Sequence, residues 1–497
     1  MRCSGKVFLS FFVMVSFLSL ITFFSAAAAA AKPAKPVKTE KAVPGTVAEK
    51  VAKPNAAFDA NKVSNMSDYD PGNPVIPTGD TIKIALLQPF SGPAALNGDL
   101  SFQILQWVAH DINKQGGIWV DGKKKLVQII KADHMGKPDQ CKKVAERMVL
   151  QEKVHVLVGT SGSHLMKIIM EVGSKYKVVV HNAMALSDDL MDATQFNRYT
   201  FMTAYDTWSV GRGIAYYYGQ IRKKEKKFYI ICQDYSFGRG MADGFKQGLK
   251  DYYPEAQIVG EDYHKLFLTD FAPYLTKIKA SGAEVVYTGD WIPDLGNLIK
   301  QARQSGINIP FADRIMDDAS MLSELGIEGS KGLVNLTSYE YTNPAFKTPE
   351  QIKFHNAWHD QWKNKWTKVP YNAKIMAYAE GQVGANLMQY YWLMSVIERA
   401  RSTDPEKIIA VWENDSYKSL SGKVLKMRPC DHKAIQDLVA NEFVPPQEQK
   451  ISYNMPPYYW FNDCSYTGYL HVIPAAKVLP WMDQKLDRCK GKSDWGE

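Results

Sequence analysis

Short apolar segments alternate with helical patterns over most of this chain, and this alternation constrains the fold more than any other feature. The candidate strands are Ile82–Gln88, Leu126–Asp133, Val154–Gly159, Val178–His181, Phe228–Gln233, Gln257–Asp262, Glu284–Thr288 and Gly332–Leu336. Amphipathic patterns lie between them, such as Leu100–Lys114, which Asp99 caps and a Gly-Gly pair ends. Short apolar strands joined by such helices predict right-handed βαβ units around parallel sheets buried on both faces.

The series of strands and helices pauses twice, at Arg198–Asp206 and at Ser338–Pro344. We therefore predict an α/β protein with two doubly wound parallel-sheet lobes that face each other across a cleft. A three-segment hinge, crossing near residues 203, 337 and 420, would join them. The predicted parts are lobe 1 (81–203 and 337–420), lobe 2 (204–336 and 421–480) and a C-terminal tail (481–497).

The start of the chain has the composition of a secretory signal. Arg2 and Lys6 precede an apolar run, Val7–Phe24, and an alanine tract follows it. A positive start, an apolar middle and a small-residue end predict a cleavable signal peptide over residues 1–31. An uncleaved membrane anchor is the alternative, because the run could nearly span a bilayer.

The basic charge of the chain is concentrated before its folded part. The net charge is +8, and residues 32–62 hold seven lysines against three acids, while residues 63–497 carry only +2. A nucleic-acid-binding protein would carry this charge on its folded part, so no nucleic-acid partner is expected. The Lys/Ala/Pro-rich composition predicts a disordered tether over residues 32–80.

The cysteines predict one disulfide near the C-terminus. Cys430, Cys464 and Cys489 share this region, and in an oxidising compartment two of them are expected to pair. The sequence leaves open which pair forms and whether Cys141 takes part. Cys232, in an apolar run, is predicted to be a buried free thiol. The chain has no CxxC motif, and we expect neither a metal nor a cofactor.

Six stretches carry a family pattern by their order and spacing: Gln88–Pro93, Ala109–Gly117, Val158–Ser163, Asp234–Gly240, Asp270–Lys279 and Lys300–Gly306. Together they resemble the type I periplasmic solute-binding proteins, in particular the leucine/isoleucine/valine-binding branch that serves ABC transporters. The resemblance covers Thr81 to Val444. It implies a periplasmic monomer that binds a small ligand between its lobes, has no enzyme activity and delivers the ligand to a membrane permease. A sensor or receptor module of the same fold is the alternative.

The resemblance also assigns candidate ligand-binding residues. Ser163, with Ser161 in the same loop, falls where a hydroxyl and backbone N–H groups hold a carboxylate, and the start of a helix also attracts anions. Phe237 and Trp291 match aromatic positions of the second lobe, and Asn97 matches a position near the cleft mouth. The alternatives are a helix cap for Ser163 and core packing for the two aromatic residues.

Two departures from the family pattern bear on the ligand. Leu186 stands where amino-acid binders have a threonine, and Ile315 stands where they place an acid against the ligand's ammonium. Asp313, Asp317 and Asp318 are close enough for a small loop shift to restore an acid, and we include Asp317 among the candidates. If none of them points inward, a ligand with a buried ammonium would be excluded.

Met184 and Leu186, with the two aromatic residues, would make the pocket more apolar than is usual in the family. The expected ligand is a branched-chain or aromatic amino acid or a related carboxylate, and this lining favours an aromatic or aliphatic acid. Tyr205, in the predicted hinge, is the last candidate.

Overall fold

The computed structural model describes residues 64–338, 348–362, 380–444 and 466–497. Its helices are α1 (Ala95–Lys114), α2 (Pro138–Leu150), α3 (Ser163–Tyr176), α4 (Thr207–Tyr216), α5 (Ser236–Tyr252), α6 (Ala272–Ser281), α7 (Asp294–Gln304), α8 (Ala319–Ser330), α9 (Pro349–Asp360), α10 (Glu380–Ala400) and α11 (Pro405–Trp412). Among these described segments, no helix combines the length and apolar character needed to cross a membrane. The predicted signal peptide lies outside the described residues.

The strands, in chain order, confirm the alternating pattern. They are β1 (Ile82–Gln88), β2 (Ile118–Val120), β3 (Lys123–Lys125), β4 (Val127–Asp133), β5 (Val156–Gly159), β6 (Val179–Asn182), β7 (Thr200–Met202), β8 (Lys227–Gln233), β9 (Gln257–His264), β10 (Val285–Gly289), β11 (Phe311–Asp313), β12 (Leu333–Thr337), β13 (Ser416–Lys418), β14 (Val424–Met427), β15 (Ala434–Ile435), β16 (Leu438–Val444) and β17 (Tyr466–Ile473).

The first sheet is parallel throughout and has the order β4-β1-β5-β6-β7. Successive side chains of β1 point to opposite faces of the sheet, because side chains alternate along a strand. Ile84 and Leu86 pack into the core that includes α1 and α10, whereas Ala85 and Leu87 pack into the core that includes α2 and α3. The sheet is thus covered on both faces, as the sequence predicts.

The second sheet has the order β17-β16-β12-β11-β10-β8-β9. Strands β8 to β12 are parallel, and β16 and β17 extend one edge as antiparallel strands. Tyr229 and Ile231 face the core that includes α6 and α7. Phe228, Ile230 and Cys232 face the opposite core, which includes α4 and α5. Two sheet-based lobes are therefore present, as predicted.

Up to the end of β17, the described residues pass between the two sheet-based lobes three times. The first crossing joins β7 to α4, where the side chain of Asp206 accepts the backbone N–H of Ser209 and caps the helix. The second follows β12, and the third lies between Ile435 and Leu438. The prediction of a crossing near 420 is wrong, because residues 416–435 form a small sheet whose side chains belong to the core of the first lobe, among them Tyr417, Leu425 and Met427.

One buried lysine side chain joins these crossings. Lys423 is 2% exposed, and its Nζ donates to the backbone carbonyls of Ser338, at the second crossing, and of Asp437, at the third. It also donates to Oε1 of Gln436, at 3.3 Å. The Nε2 of Gln436 in turn donates to the carbonyl of Thr203, at the first crossing, at 3.1 Å.

The predicted C-terminal tail is fastened to the first crossing. Lys433 Nζ lies 3.1 Å from Asp206 Oδ2, and both side chains are buried. The backbone N–H of Trp481 donates to the same carboxylate oxygen at 2.9 Å, and its carbonyl accepts from Lys433 Nζ at 2.9 Å. A disulfide between Cys430 and Cys489 closes the same region.

This disulfide resolves the choice that the sequence left open. Cys141 and Cys232 are free and buried, which confirms the prediction for Cys232, while Cys464 lies outside the described residues. Cys430, Asp431 and Cys489 are the one group in the described ranges with metal-ligand spacing, and both sulfurs are already bonded to each other.

The segment before β1 differs from the predicted tether where the structure describes it. Met66 and Tyr69 are 2% and 1% exposed. The Tyr69 hydroxyl donates to Gln103 Oε1 at 2.9 Å, and its ring packs edge-on to Trp107 at 5.7 Å. The disorder predicted up to residue 80 is therefore wrong for this part, because two large side chains anchor it to α1.

Candidate functional site

The loops that follow the strands of both sheets line one cleft. In the first sheet they follow β5 and β6, and in the second they follow β8, β10 and β11. A cavity lies among them, and its empty space, including open solvent, is about 460 Å³. A second cavity, with about 400 Å³ of empty space counted in the same way, shares part of its lining. Open α/β sheets bind ligands at the carboxyl ends of their strands, so this cleft is the candidate site.

All the residues predicted from the sequence line one of these two cavities. The first cavity contains Asn97, Ser161, Ser163, Met184, Leu186, Phe237 and Trp291. The second cavity contains Tyr205 and Asp317, and also Met184 and Leu186. The structure brings these residues together, and their contact with a ligand stays a prediction.

The start of α3 forms one wall of the first cavity. Gly162, with φ of 94°, occupies the cap position, and Ser163 is the first residue of the helix. The alternative role of Ser163 as the helix cap is therefore wrong. Its hydroxyl oxygen accepts the backbone N–H of Ser187 at 3.2 Å. The first N–H groups of α3 have no acceptor within the helix, so this wall favours an anion.

Ser161 is held by Gln88, the last residue of β1. The Oε1 of Gln88 accepts both the backbone N–H of Ser161, at 2.9 Å, and its hydroxyl, at 3.2 Å. Gln88 is fully buried and its Nε2 lies 3.0 Å from the sulfur of Met184. The loops after β5 and β6 are thus both tied to the last residue of β1.

The side chain of Asn182 stabilises the turn after β6 by hydrogen-bonding to backbone groups of that loop. Its Oδ1 accepts the N–H groups of Met184 and Ala185, and its Nδ2 donates to the carbonyl of Ala185 at 2.8 Å. This turn presents Met184 and Leu186 to the cavities. The lining on this side is apolar, as expected from the sequence.

Three aromatic side chains form the opposite wall. The indole Nε1–H of Trp291 donates to the hydroxyl of Tyr235 at 2.9 Å, and the ring of Tyr235 lies 5.9 Å from that of Phe237. Phe237 is 3% exposed and also belongs to the core, so its core and cavity roles coincide. Trp291 is only partly buried and packs edge-on to Phe267 at 5.6 Å.

The two walls meet at the inner end of the cleft. The hydroxyls of Ser187 and Ser236 are 3.0 Å apart, and the ring of His164 lies edge-on to Tyr235 at 6.0 Å. Burial lowers the pKa of His164, which favours the neutral imidazole beside the first turn of α3. The direct contacts show that the walls are close enough for one small molecule to touch both.

Arg314, which directly follows β11, is the residue that the sequence reasoning missed. It lines both cavities, and its Nε donates to the hydroxyl of Tyr205 at 3.3 Å. Burial acts to lower the pKa of Arg314, but Tyr205, Asp313 and Asp317 more than offset this effect and raise the pKa. The guanidinium is therefore a permanent positive charge in the cleft.

The three acids near residue 315 have different roles. Asp313 is fully buried, and its carboxylate accepts the backbone N–H groups of Asp290 and Arg314. Asp318 caps α8 by accepting the N–H of Met321 at 2.9 Å. Asp317 lines only the second cavity. The first cavity, which contains the start of α3 and the aromatic wall, has no carboxylate in its lining.

Asn386 and Gln389 of α10 are two further lining residues that no pattern in the sequence indicates. Both line the second cavity. Asn386 Nδ2 donates to the carbonyl of Ala183 at 3.2 Å, and Gln389 Nε2 donates to that of Thr203 at 3.3 Å. They connect α10 to the loop after β6 and to the first crossing.

Two sheet-based lobes with a cleft between their loops define a two-lobed ligand-binding protein. The sequence profile of the family described as "Periplasmic binding protein" matches residues 81–444. The chain belongs to this family, and the resemblance stated from its sequence is confirmed.

Relatives of this chain have names that fit the family. It is 29% identical over 249 residues to an "Amino acid binding protein" of Pseudomonas aeruginosa, a match over 49% of this chain and 62% of the relative. The chain thus spans less than two thirds of that protein.

Solved structures of this fold include proteins that bind different solutes. A leucine-, isoleucine-, valine-, threonine- and alanine-binding protein from Brucella ovis, in a closed conformation, has a TM-score of 0.68 at 20% identity, covering 82% of this chain and 98% of its own. A solute-binding protein of an ABC transporter from R. palustris, in complex with 4-hydroxybenzoate, has a TM-score of 0.63 at 19% identity, covering 80% and 97%.

Proposed function

We propose that this chain is an extracytoplasmic solute-binding protein that captures a small organic acid and delivers it to the permease of an ABC importer. The observation that carries the proposal is a cavity lined by loops from both sheets, with an anion-favouring helix start on one wall and aromatic rings on the other. The family supports the same role, and the signal-like N-terminus supports export to the periplasm.

The ligand's carboxylate would lie at the start of α3. There Ser163 can donate its hydroxyl hydrogen, because its oxygen already accepts the N–H of Ser187. The free backbone N–H groups of the first helical turn add further donors. The apolar part of the ligand would lie against Met184, Leu186 and the ring of Trp291.

Delivery would depend on closure of the cleft. A ligand that touches both walls stabilises the closed state more than the open state, and only this difference shifts the population. A shift from 1% to 99% closed needs about 5.5 kcal/mol of differential binding. The three crossings are the segments about which the lobes would rotate.

The choice of an acid over an amino acid follows from the charges in the cleft. The first cavity has no carboxylate in its lining and contains the guanidinium of Arg314. An α-ammonium there would be buried without a counter-charge and would face a second cation, which is costly. Among structures with this fold, the protein that binds 4-hydroxybenzoate shows that the fold accommodates an aromatic acid.

A thermal-shift screen of the purified mature chain tests the proposal. The panel would contain aromatic and aliphatic acids, small amides, and branched-chain and aromatic amino acids. Bound ligand at 100 times its Kd adds about 2.7 kcal/mol of stability. We expect acids to raise the Tm more than amino acids do. A panel in which no solute raises the Tm would argue against a solute-binding role.

Single substitutions then test the position of the site. Ser163→Ala and Trp291→Ala should each weaken the best ligand about tenfold, equivalent to about 1.4 kcal/mol. Matched controls are Ser174→Ala and Trp119→Ala, because both residues are exposed and outside the cleft. Unchanged affinity in both cleft variants would mean that the ligand binds elsewhere.

A further inference from the structure

Arg314 differs from three other arginines of the described chain that are partly or fully buried. Arg428 is fully buried and pairs with Asp431 at 2.6 Å, and Arg399 pairs with Asp415 at 2.6 Å. Arg303 has no carboxylate partner but donates to four backbone carbonyls. Each of these guanidinium groups is thus neutralised or satisfied by the protein.

The guanidinium of Arg314 makes one hydrogen bond in the described chain, to the neutral hydroxyl of Tyr205. It also lies beside the ring of the same tyrosine, 5.9 Å from the guanidinium carbon. Asp313 and Asp317 are near enough to raise the pKa of Arg314, but within the described chain neither carboxylate hydrogen-bonds to the guanidinium. A guanidinium has five N–H donors, so most of its donors are left for water or a ligand. Closure of the cleft on a ligand removes water, and the ligand then has to supply the missing acceptors.

The positions of the two anion-favouring groups define the ends of the ligand. Arg314 follows β11 of the second sheet, and Ser163 begins α3 beside the first sheet. Both line the same cavity, together with Tyr235 and Trp291. A ligand that reaches from one wall to the other therefore meets a positive potential at each end and aromatic rings along its length.

We propose that Arg314 makes the cleft selective for small dicarboxylates with an unsaturated or aromatic middle. One carboxylate would lie at the start of α3 and the other against Arg314, whose planar fork matches a carboxylate in two parallel hydrogen bonds. This inference rests on the proposed function and names the ligand class of that site.

Pairs of ligands that differ by one charged group test the inference by isothermal titration calorimetry. The probes are terephthalate against benzoate, and trans,trans-muconate against sorbate, with phenylalanine and leucine as zwitterions. We expect at least one dicarboxylate to bind tenfold or more tightly than its monocarboxylate partner, and both amino acids to bind more weakly than either. Equal affinity within both pairs would overturn the inference.

Two substitutions of Arg314 separate the effect of its charge on ligand affinity from the effect of its planar shape. Arg314→Met should lower dicarboxylate affinity at least tenfold more than it lowers monocarboxylate affinity, whereas Arg314→Lys should retain part of the preference as a point charge. The matched control is Arg239→Met, because Arg239 is exposed and pairs with Asp234 outside the cavities. A dicarboxylate preference that persists unchanged in both Arg314 variants would contradict the assignment.

The same measurements distinguish this inference from the proposed function. Binding of monocarboxylates with no preference for a second carboxylate would overturn the inference and leave solute binding intact. Absence of binding by every probe and every solute in the thermal-shift panel would overturn both. Circular dichroism and the Tm of each variant check its folding. If Arg314→Met does not fold, titration of the paired ligands into the unmodified chain and into Arg314→Lys still tests the inference.

Discussion

Replacement of Lys433 by methionine should strongly destabilise the protein, because Lys433 is the buried cation at the first crossing. Its side chain is 1% exposed and its partner Asp206 is 0% exposed. Nζ donates to Asp206 Oδ2 at 3.1 Å, to the carbonyl of Asp188 at 2.7 Å and to that of Trp481 at 2.9 Å. All three donors of the ammonium are therefore used within the protein.

The expected loss in the free energy of unfolding depends on the carboxylate that the substitution leaves unpaired. Methionine conserves most of the volume but leaves the buried carboxylate of Asp206 without a cation. Loss of one partner from a buried ion pair typically costs about 3–5 kcal/mol. Asp206 keeps hydrogen bonds from Ser209 and Trp481, which places the expected loss near the lower end, at about 3 kcal/mol.

Urea unfolding followed by far-UV circular dichroism measures this loss. The control is Lys250→Met, an exposed lysine in the last turn of α5, which should change the free energy of unfolding by no more than about 0.5 kcal/mol. The double variant with Asp206→Asn should lose less than the sum of the single losses, because the two groups interact directly. A loss below about 1 kcal/mol for Lys433→Met would refute the reasoning.

Three further predictions concern stability. Burial, with Asp206 nearby, raises the pKa of Asp188 to about 7. The folded state therefore binds this proton more tightly than the unfolded state does, and the stability that the proton contributes is lost as the pH rises towards 7. The Tm of Asp188→Asn should fall less than that of the unmodified chain between about pH 5 and pH 8. The double variant Cys430→Ser with Cys489→Ser opens a link across 59 residues and should lower the free energy of unfolding in urea by about 4 kcal/mol. An unchanged free energy of unfolding would contradict this prediction. Gly211→Ala would place a Cβ 2.2 Å from the backbone of α5 and should lower the free energy of unfolding by about 1–3 kcal/mol. Gly296→Ala is the control, because the nearest neighbour of its Cβ would be 3.8 Å away. Equal melting temperatures of the two variants would contradict this prediction.

The parallel core of both lobes was predictable because each strand and helix carries its own local signal. Ile82–Gln88, for example, is apolar at nearly every position and is buried on both faces as β1, which is the pattern of a strand covered by helices on both sides. The family resemblance assigned most of the cavity-lining residues, and those in the loops after the strands lie together because parallel strands place their following loops at one edge.

The features that the sequence did not predict depend on partners far away in the chain. Strand β7 has only three residues, and its pairing with β6 decides that it is a strand. The segment around Tyr69 has the composition of a tether, and burial against α1 overrides that composition. Arg314 was missed because a charged residue after a strand is usually exposed, and only the fold shows that it faces a cleft.

The contacts of Lys423 have a mechanical consequence. A single ammonium holds backbone carbonyls of two connections between the lobes, and through one amide it reaches the remaining connection. Bending one connection alone would strain these bonds. If the cleft opens as proposed, the three segments are therefore expected to turn together about one axis.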